Sequence, residues 1–274
     1  MNNYSLTIEA GKLNHRYLKD IWVYRELFLF LAWRDILVRY KQTIIGVAWS
    51  VIRPLLIMIV FTIVFGRLAK LPSDGIPYPI MVYVAMLPWQ LFANTVSEGG
   101  SALIHNSHLV SKVYFPRIII PSTSLVVSFV DFAISMVLLG GIMIWYKFIP
   151  SWKIITLPLF LAIACFTALG IVYWISALNV KYRDFQFVVP FMIQFGLYIA
   201  PVGFSSSIIP DKWRLLYSIN PLCGVIDGFR WAIIGSDVTL YIPGFILSIV
   251  LSAVLFISGF IFFRSTERGF ADFI

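Results

Sequence analysis

Charge is scarce in this chain, and the scarcity sets its solvent. Only 12% of the residues are charged and 60% are hydrophobic, with a mean hydropathy of +0.89. Helices built from such a sequence have no polar face to offer water, which excludes a water-soluble all-α domain. Cysteine is nearly absent: Cys165 and Cys223 give no disulfide framework. Histidine is rare too. His105 and His108 stand three apart in "IHNSH", but no third ligand lies close by and no metal site is expected. No G-x-x-x-x-G-K-[ST] occurs, so the chain has no P-loop of its own for ATP. Ser122, Ser124 and Ser128 have no histidine at the same depth, which leaves no basis for a nucleophilic triad. No basic cluster stands on a soluble domain, so a nucleic-acid role is not expected. The first 43 residues lack the short basic start and apolar core of a cleaved signal, and are expected to remain in the mature protein.

What fills the chain is apolar runs. About 20 residues span the hydrocarbon of a bilayer, and runs of that order recur at about 44–66, 77–100, 118–146, 154–178, 187–204 and 239–263. Arg53 lies in the first and Asp131 in the third, and Glu98 falls near the end of the second. The expected fold is therefore an all-α integral membrane protein of six transmembrane helices. Residues 1–43 form an N-terminal segment before a membrane domain over 44–274. With both termini in the cytoplasm, the inside segments carry thirteen Lys and Arg and the outside segments seven. That bias favours cytoplasmic termini. The net charge of +8 is then a topology signal first and an attraction to anionic headgroups second.

The stretch "RDILVRYKQTIIGVAWSVIRPL" lays charge directly against the first span. Trp33, Ile36, Leu37, Tyr40 and Ile44 fall at helical spacing on one face, with Arg34, Asp35 and Lys41 largely elsewhere and Arg39 near the boundary. This predicts an amphipathic helix in the interface plane. Arg53 can snorkel back to the headgroups from two turns inside. The helix reads as an anchor for the first span, as a collar around a cytoplasmic access site, or as a contact for a soluble partner. Asp131 has two readings as well: a proton relay, or a partner for Arg53 or another polar side chain in the bundle.

Two short polar segments separate spans on the same side. "HNSHLVSKVYFPR" (105–117) has helix-forming length, two basic residues and a terminating proline; "NVKYRDFQ" (179–186) combines aromatics with charge. Each reads alone as an interfacial turn, and together they build a face suited to docking a partner. On the other side, 205–240 is too long for a tight turn and too apolar for an exposed loop. Asn220-Pro221 breaks it, so a pair of short re-entrant helices between the fifth and sixth spans is expected. Asp227 and Arg230, three apart, can pair on the second of them.

These segments, with "LVSKVYFPRIIIP", "ALNVKYRDFQFVVPFMIQFGLYIAPV", "INPLCGVIDGFRWAIIG" and "FFRSTERGFADFI", resemble permeases of the ABC-2 polysaccharide exporter family. Those permeases export O-antigen, capsular polysaccharide and teichoic acid. The resemblance covers nearly the whole chain and is not specific to one substrate. It implies a transport subunit with no catalytic residues and no cofactor of its own. It also implies a homodimer and two copies of a separate ATPase subunit that binds ATP and Mg. The interface helix then marks where a lipid-linked polysaccharide is admitted, with Arg34, Arg39, Tyr40, Lys41 and Arg53 as candidate residues. The loop 105–117 matches the family's coupling helix, with His108, Lys112, Tyr114, Phe115 and Arg117. The loop 179–186 matches a second contact, with Lys181, Arg183 and Asp184. Asn220, Pro221, Asp227 and Arg230 belong to the re-entrant outer region. Aromatics, 17% of the chain, are candidates for lining a channel. The rival readings are a membrane-embedded transferase for a lipid-linked substrate, an exporter of a small amphipath, or a stand-alone flippase.

Overall fold

The computed structural model describes residues 15–41, 46–73, 75–182, 184–235 and 240–270. Among these, every regular element is helical. Two helices precede the first apolar run, α1 (His15–Val23) and α2 (Arg25–Lys41); α3 (Gly46–Phe61) continues as a wider π-helical segment, Thr62–Leu68. Then come α4 (Tyr78–His105), α5 (Ser107–Lys112), α6 (Ile119–Trp145), α7 (Leu157–Lys181), α8 (Phe185–Ile199), α9 (Asp211–Tyr217), α10 (Pro221–Ile233) and α11 (Ile242–Thr266). The 42–45 junction, where the N-terminal segment was expected to give way to the membrane domain, lies outside the described residues.

Among the described residues, five stretches are long and apolar enough to cross a membrane: Ala48–Leu68, Tyr78–His105, Ile119–Trp145, Trp152–Lys181 and Ile242–Gly269. They fall on five of the six expected runs. The remaining run, 187–204, forms only the 15-residue α8, and the chain leaves helical geometry after Ile199. Fifteen residues rise about 22 Å, short of the roughly 30 Å of hydrocarbon. The composition of 200–204 is apolar, but Ala200 turns extended and the segment folds in against α4 and α10.

Helix α4 is the axis of the bundle, with α6, α7 and α10 packed around it. Most of its apolar window is buried inside the protein, whereas α3 and α11 are largely exposed. Small residues set the closest approaches, as expected where lipid gives helices no hydrophobic reason to associate. A methyl group on Gly99 would meet Ser124 and Val172 at 2.7 Å, so α4, α6 and α7 converge there. On Gly170 it would strike the backbone of α11 at Leu255 and Phe256, 2.6 Å away. Serine and threonine add hydrogen bonds across that seam, with Thr167 and Ser252 hydroxyls 2.7 Å apart.

Candidate functional site

The last turn of α2 carries Arg39 and Tyr40, cations being favoured where helical carbonyls are unpaired. Both reach the same group, the Asp131 carboxylate halfway along α6. Arg39 Nη2 lies 2.7 Å from Oδ2, and the Tyr40 hydroxyl donates to Oδ1 at 2.6 Å. Ser50, early in α3, donates to Oδ1 at 2.7 Å, and the Asn94 amide of α4 to Oδ2 at 3.2 Å. Arg39 also has Glu98 of α4 at 3.7 Å. Partial burial, the hydrogen bond to Asp131 and its negative charge push the Tyr40 phenol up to about 12, so it stays a donor. Asp131 is therefore a hub between helices. Its charged partner is Arg39 of the N-terminal segment, where the sequence had offered Arg53 or a polar side chain of the bundle, and Ser50 and Asn94 are such side chains.

Beside this hub lies a cavity of about 720 Å³ between α3, α4, α6 and α8. Tyr40, Trp49, Trp89 and Tyr198 supply aromatic faces; Gln90, Asn94 and Gln194 supply amides. Arg39, Arg53, Glu98 and Asp131 supply two charges of each sign. A second cavity of about 460 Å³ runs from Arg39 toward Arg34, His105 and Asn106. There Arg34 binds Asp35 Oδ1 at 2.7 Å and the Asn106 side chain at 2.9 Å, while Thr123 of α6 donates to Asp35 at 3.0 Å. Of the five candidate access residues, Arg39, Tyr40 and Arg53 thus share one cavity and Arg34 lines its neighbour; Lys41 is exposed and lines neither. The charged side of α2 is turned onto its own bundle, leaving Leu29, Phe30, Trp33 and Val38 exposed.

The two expected docking loops divide sharply. Within 105–117, His105 ends α4 and Ser107–Lys112 forms α5, with His108, Lys112 and Tyr114 exposed and Phe115 buried. Arg117 is tied inward: its backbone N–H donates to Glu267 Oε1 at 2.7 Å and its guanidinium to the Glu267 carbonyl at 2.6 Å. Glu267 also accepts from the Tyr17 hydroxyl at 2.9 Å and from Arg264 at 3.0 Å, with Arg264 stacked over the Tyr17 ring. Burial and the neighbouring carboxylate hold the Tyr17 phenol well above its usual range. In the second loop Lys181 and Asp184 are exposed, and Arg183 lies outside the described residues.

At the far end of the bundle, Asn220 caps α10 by accepting from the Leu222 N–H at 3.1 Å, and Pro221 takes the first helical position, where no N–H is required. Asp227 accepts from Ser206 at 2.6 Å. Arg230 is 2% exposed and donates to the carbonyls of Met81, Phe204 and Val202 at 3.3, 2.9 and 3.0 Å. Tyr78 donates to the Gly203 carbonyl beside them. Arg230 thus closes the backbone turn after α8, while the Asp227 carboxylate is held by Ser206.

Sequence reasoning missed Glu267 and the roles of Ser50, Asn94 and Glu98. Asn94 and Glu98 carried a signal, being polar residues one turn apart in a long apolar stretch, on the side of α4 that meets Asp131.

Residues 26–234 match the ABC-2 type transporter family, three quarters of the chain. The chain is 28% identical over 253 residues to an O-antigen export system permease protein RfbA of Klebsiella pneumoniae, covering 89% of this chain and 93% of that protein. It is 27% identical over 218 residues to the protein of the same name from Myxococcus xanthus, covering 78% and 83%. The capsule polysaccharide export inner-membrane protein CtrC of Neisseria meningitidis is 22% identical over 232 residues, covering 82% and 85%. With a match that runs from α2 through α10 and five membrane-length helices around it, this multi-pass chain belongs to the ABC-2 type transporter family.

Proposed function

We propose that the chain is the permease subunit of an ATP-driven exporter. It moves a lipid-linked polysaccharide of the O-antigen, capsular or teichoic-acid kind across the cytoplasmic membrane. The observation that carries this reading is the cavity of about 720 Å³, where aromatic faces alternate with amides and hydroxyls beside a charged foot. A glycan brings many hydroxyls, each costly to strip of water in hydrocarbon. A hydrated path with flat rings for the sugar faces and amides for the hydroxyls avoids that penalty and grips weakly enough to let a polymer slide. Arg39, Arg53 and Arg34 suit the phosphate-bearing lipid end, guanidinium being matched to phosphate oxygens.

The rest of the assembly follows the same reading. Two copies form the conduit, meeting through the exposed apolar faces of α3 and α8, where Ile52, Leu56, Phe191 and Phe195 stand outward. The short α8 and the folded-in 200–204 segment make the fifth crossing, with α9 and α10 re-entrant in the outer leaflet. Both termini face the cytoplasm. Two ATPase subunits supply ATP and Mg and dock on α5 and the loop after α7, through His108, Lys112, Tyr114, Lys181 and Asp184.

The test is a deletion strain complemented with the wild-type chain at matched membrane levels. Surface glycan should return, and the purified chain should carry an ATPase in equal copies. Full surface glycan without the chain, or nucleotide turnover by the homogeneous chain alone, would end this reading.

A further inference from the structure

The turn after α11 holds a buried charge that the export reading leaves unused. The Glu267 side chain is 8% exposed, and three donors from three segments meet on its carboxylate. The Arg117 backbone N–H reaches Oε1, while the Tyr17 hydroxyl of α1 and Arg264 of α11 reach Oε2. The Arg117 guanidinium returns to the Glu267 carbonyl. Arg117 stands two residues before α6, ahead of the helical ladder, so its N–H has no acceptor within that helix. Phe115 and Phe270 are buried in the same apolar cluster as Tyr17. Helix α5, by contrast, is six residues long, holds to the bundle through Leu109 and Val110, and runs into an extended residue at Val113. A short helix on an extended connector turns about its own ends. Movement imposed on it is spent in the connector unless the far end is fixed. We infer that Glu267 is the positioning residue that fixes that end, so that movement of α5 is delivered to α6, α11 and the α1–α2 pair together.

This rests on the export reading above, in which an ATPase docks on α5. The segments that Glu267 gathers are joined again elsewhere. Tyr24, between α1 and α2, donates to the Tyr114 carbonyl at 3.4 Å, and Arg39 at the end of α2 reaches Asp131 on α6. The α1–α2 pair is thus fastened to α6 near both of its ends, through Glu267 and through Asp131. Arg264 holds a different place in the cluster. Its bond to Glu267 stays within the end of α11, and its stacking reaches Tyr17 of α1, so neither contact touches the α5–α6 connection.

The experiment uses the full-length chain, in the complemented strain at matched membrane levels and as the purified complex with its ATPase. Glu267→Gln keeps the size of the side chain and removes its charge. Surface glycan should fall about tenfold, the scale on which one hydrogen bond to a charged group acts. The complex should keep its partner and its ATP turnover, so that ATP consumed per exported chain rises. A loss of fold or of docking does not produce that split. Arg264→Gln removes one charge from the same cluster but leaves Arg117 tied. It should lower the melting temperature as Glu267→Gln does and still export as wild type. Arg117→Gln cuts the guanidinium half of the link from the other side and should show the same split, which decides the matter if Glu267→Gln does not accumulate. Wild-type export from Glu267→Gln, an equal loss in Arg264→Gln, or ATP turnover that falls in step with export overturns the proposal. A wild-type chain that restores no glycan sinks the export reading itself. Restored glycan with no difference between wild type and Glu267→Gln sinks this inference alone.

Discussion

Arg230 and Arg39 are both drawn into the helical body of this protein, and they are held in opposite ways. Arg230 gives its guanidinium to backbone carbonyls of Met81, Val202 and Phe204. Arg39 gives its own to side-chain carboxylates of Asp131 and Glu98, on helices other than its own. Carbonyls of a fixed turn cannot leave, and orphaning them in a dry interior is expensive. Side-chain carboxylates have rotamers of their own. The first arrangement is fixed by the backbone and the second by side chains alone. The difference lies in the partners and in access: Arg230 is 2% exposed, while the Arg39 side chain is 30% exposed beside a cavity.

Replacing each arginine tests that contrast. Arg230→Leu should have the largest effect, since each buried polar group left without a partner costs about 1–3 kcal/mol. The protein should melt well below wild type in detergent, or fail to accumulate in the membrane. Arg230→Lys should rescue little, because one ammonium cannot reach three carbonyls in fork geometry. A melting temperature near wild type for Arg230→Leu would erase the distinction.

Glu267→Gln comes next. It keeps hydrogen-bonding oxygen and nitrogen atoms but removes the charge that gathers Tyr17, Arg117 and Arg264. A hydrogen bond to a charged group contributes about 1.5–3 kcal/mol, and amide exchange through residues 113–118 should speed up while the membrane helices stay protected. Uniform protection would show that α1 and the α5–α6 connection do not depend on Glu267.

Arg39→Lys should then change stability by less than about 1 kcal/mol, since a point charge still faces Asp131. Surface glycan should nonetheless fall, because the fork that matches phosphate is lost. Wild-type export from this variant would return Arg39 to a purely structural part, like Arg230. The smallest effect is expected from Lys112→Glu, which lies exposed on α5 and should leave the melting temperature unchanged. Docking of an ATPase partner should weaken by about 1 kcal/mol or less if the contact is at a rim. Arg117 cannot serve as this probe, because reversing its charge would also break the Glu267 cluster.

A second contrast explains how far the sequence could be read. Helices α4 and α11 are both long and apolar, yet most of the first is buried and most of the second is exposed. In water, burial leaves a pattern, because one face must be polar. In lipid, both faces are apolar and the pattern disappears. For that reason the runs themselves were legible, and with them the all-helical membrane fold. The order in which helices pack was not. Likewise the spacing around Arg39 predicted a helix beside the first span, but not that its charged side would turn inward to α6.

The break at Asn220-Pro221 was legible for a local reason: a capping side chain and a residue without an N–H act within one turn. The length of α8 was not, because nothing in the apolar 200–204 segment signals that its carbonyls are claimed by an arginine 26 to 28 residues later. The sequence by itself determined the solvent, the apolar runs, the absence of a P-loop motif and the polar segments between spans, since each of these depends on composition or on neighbours within a turn. Only the tertiary structure decided that Asp131 belongs to Arg39, that Arg230 belongs to backbone and that Arg117 belongs to Glu267. A charge in a low-dielectric interior takes whichever partner the packing brings within about 3 Å, and that choice is made between helices far apart in the chain.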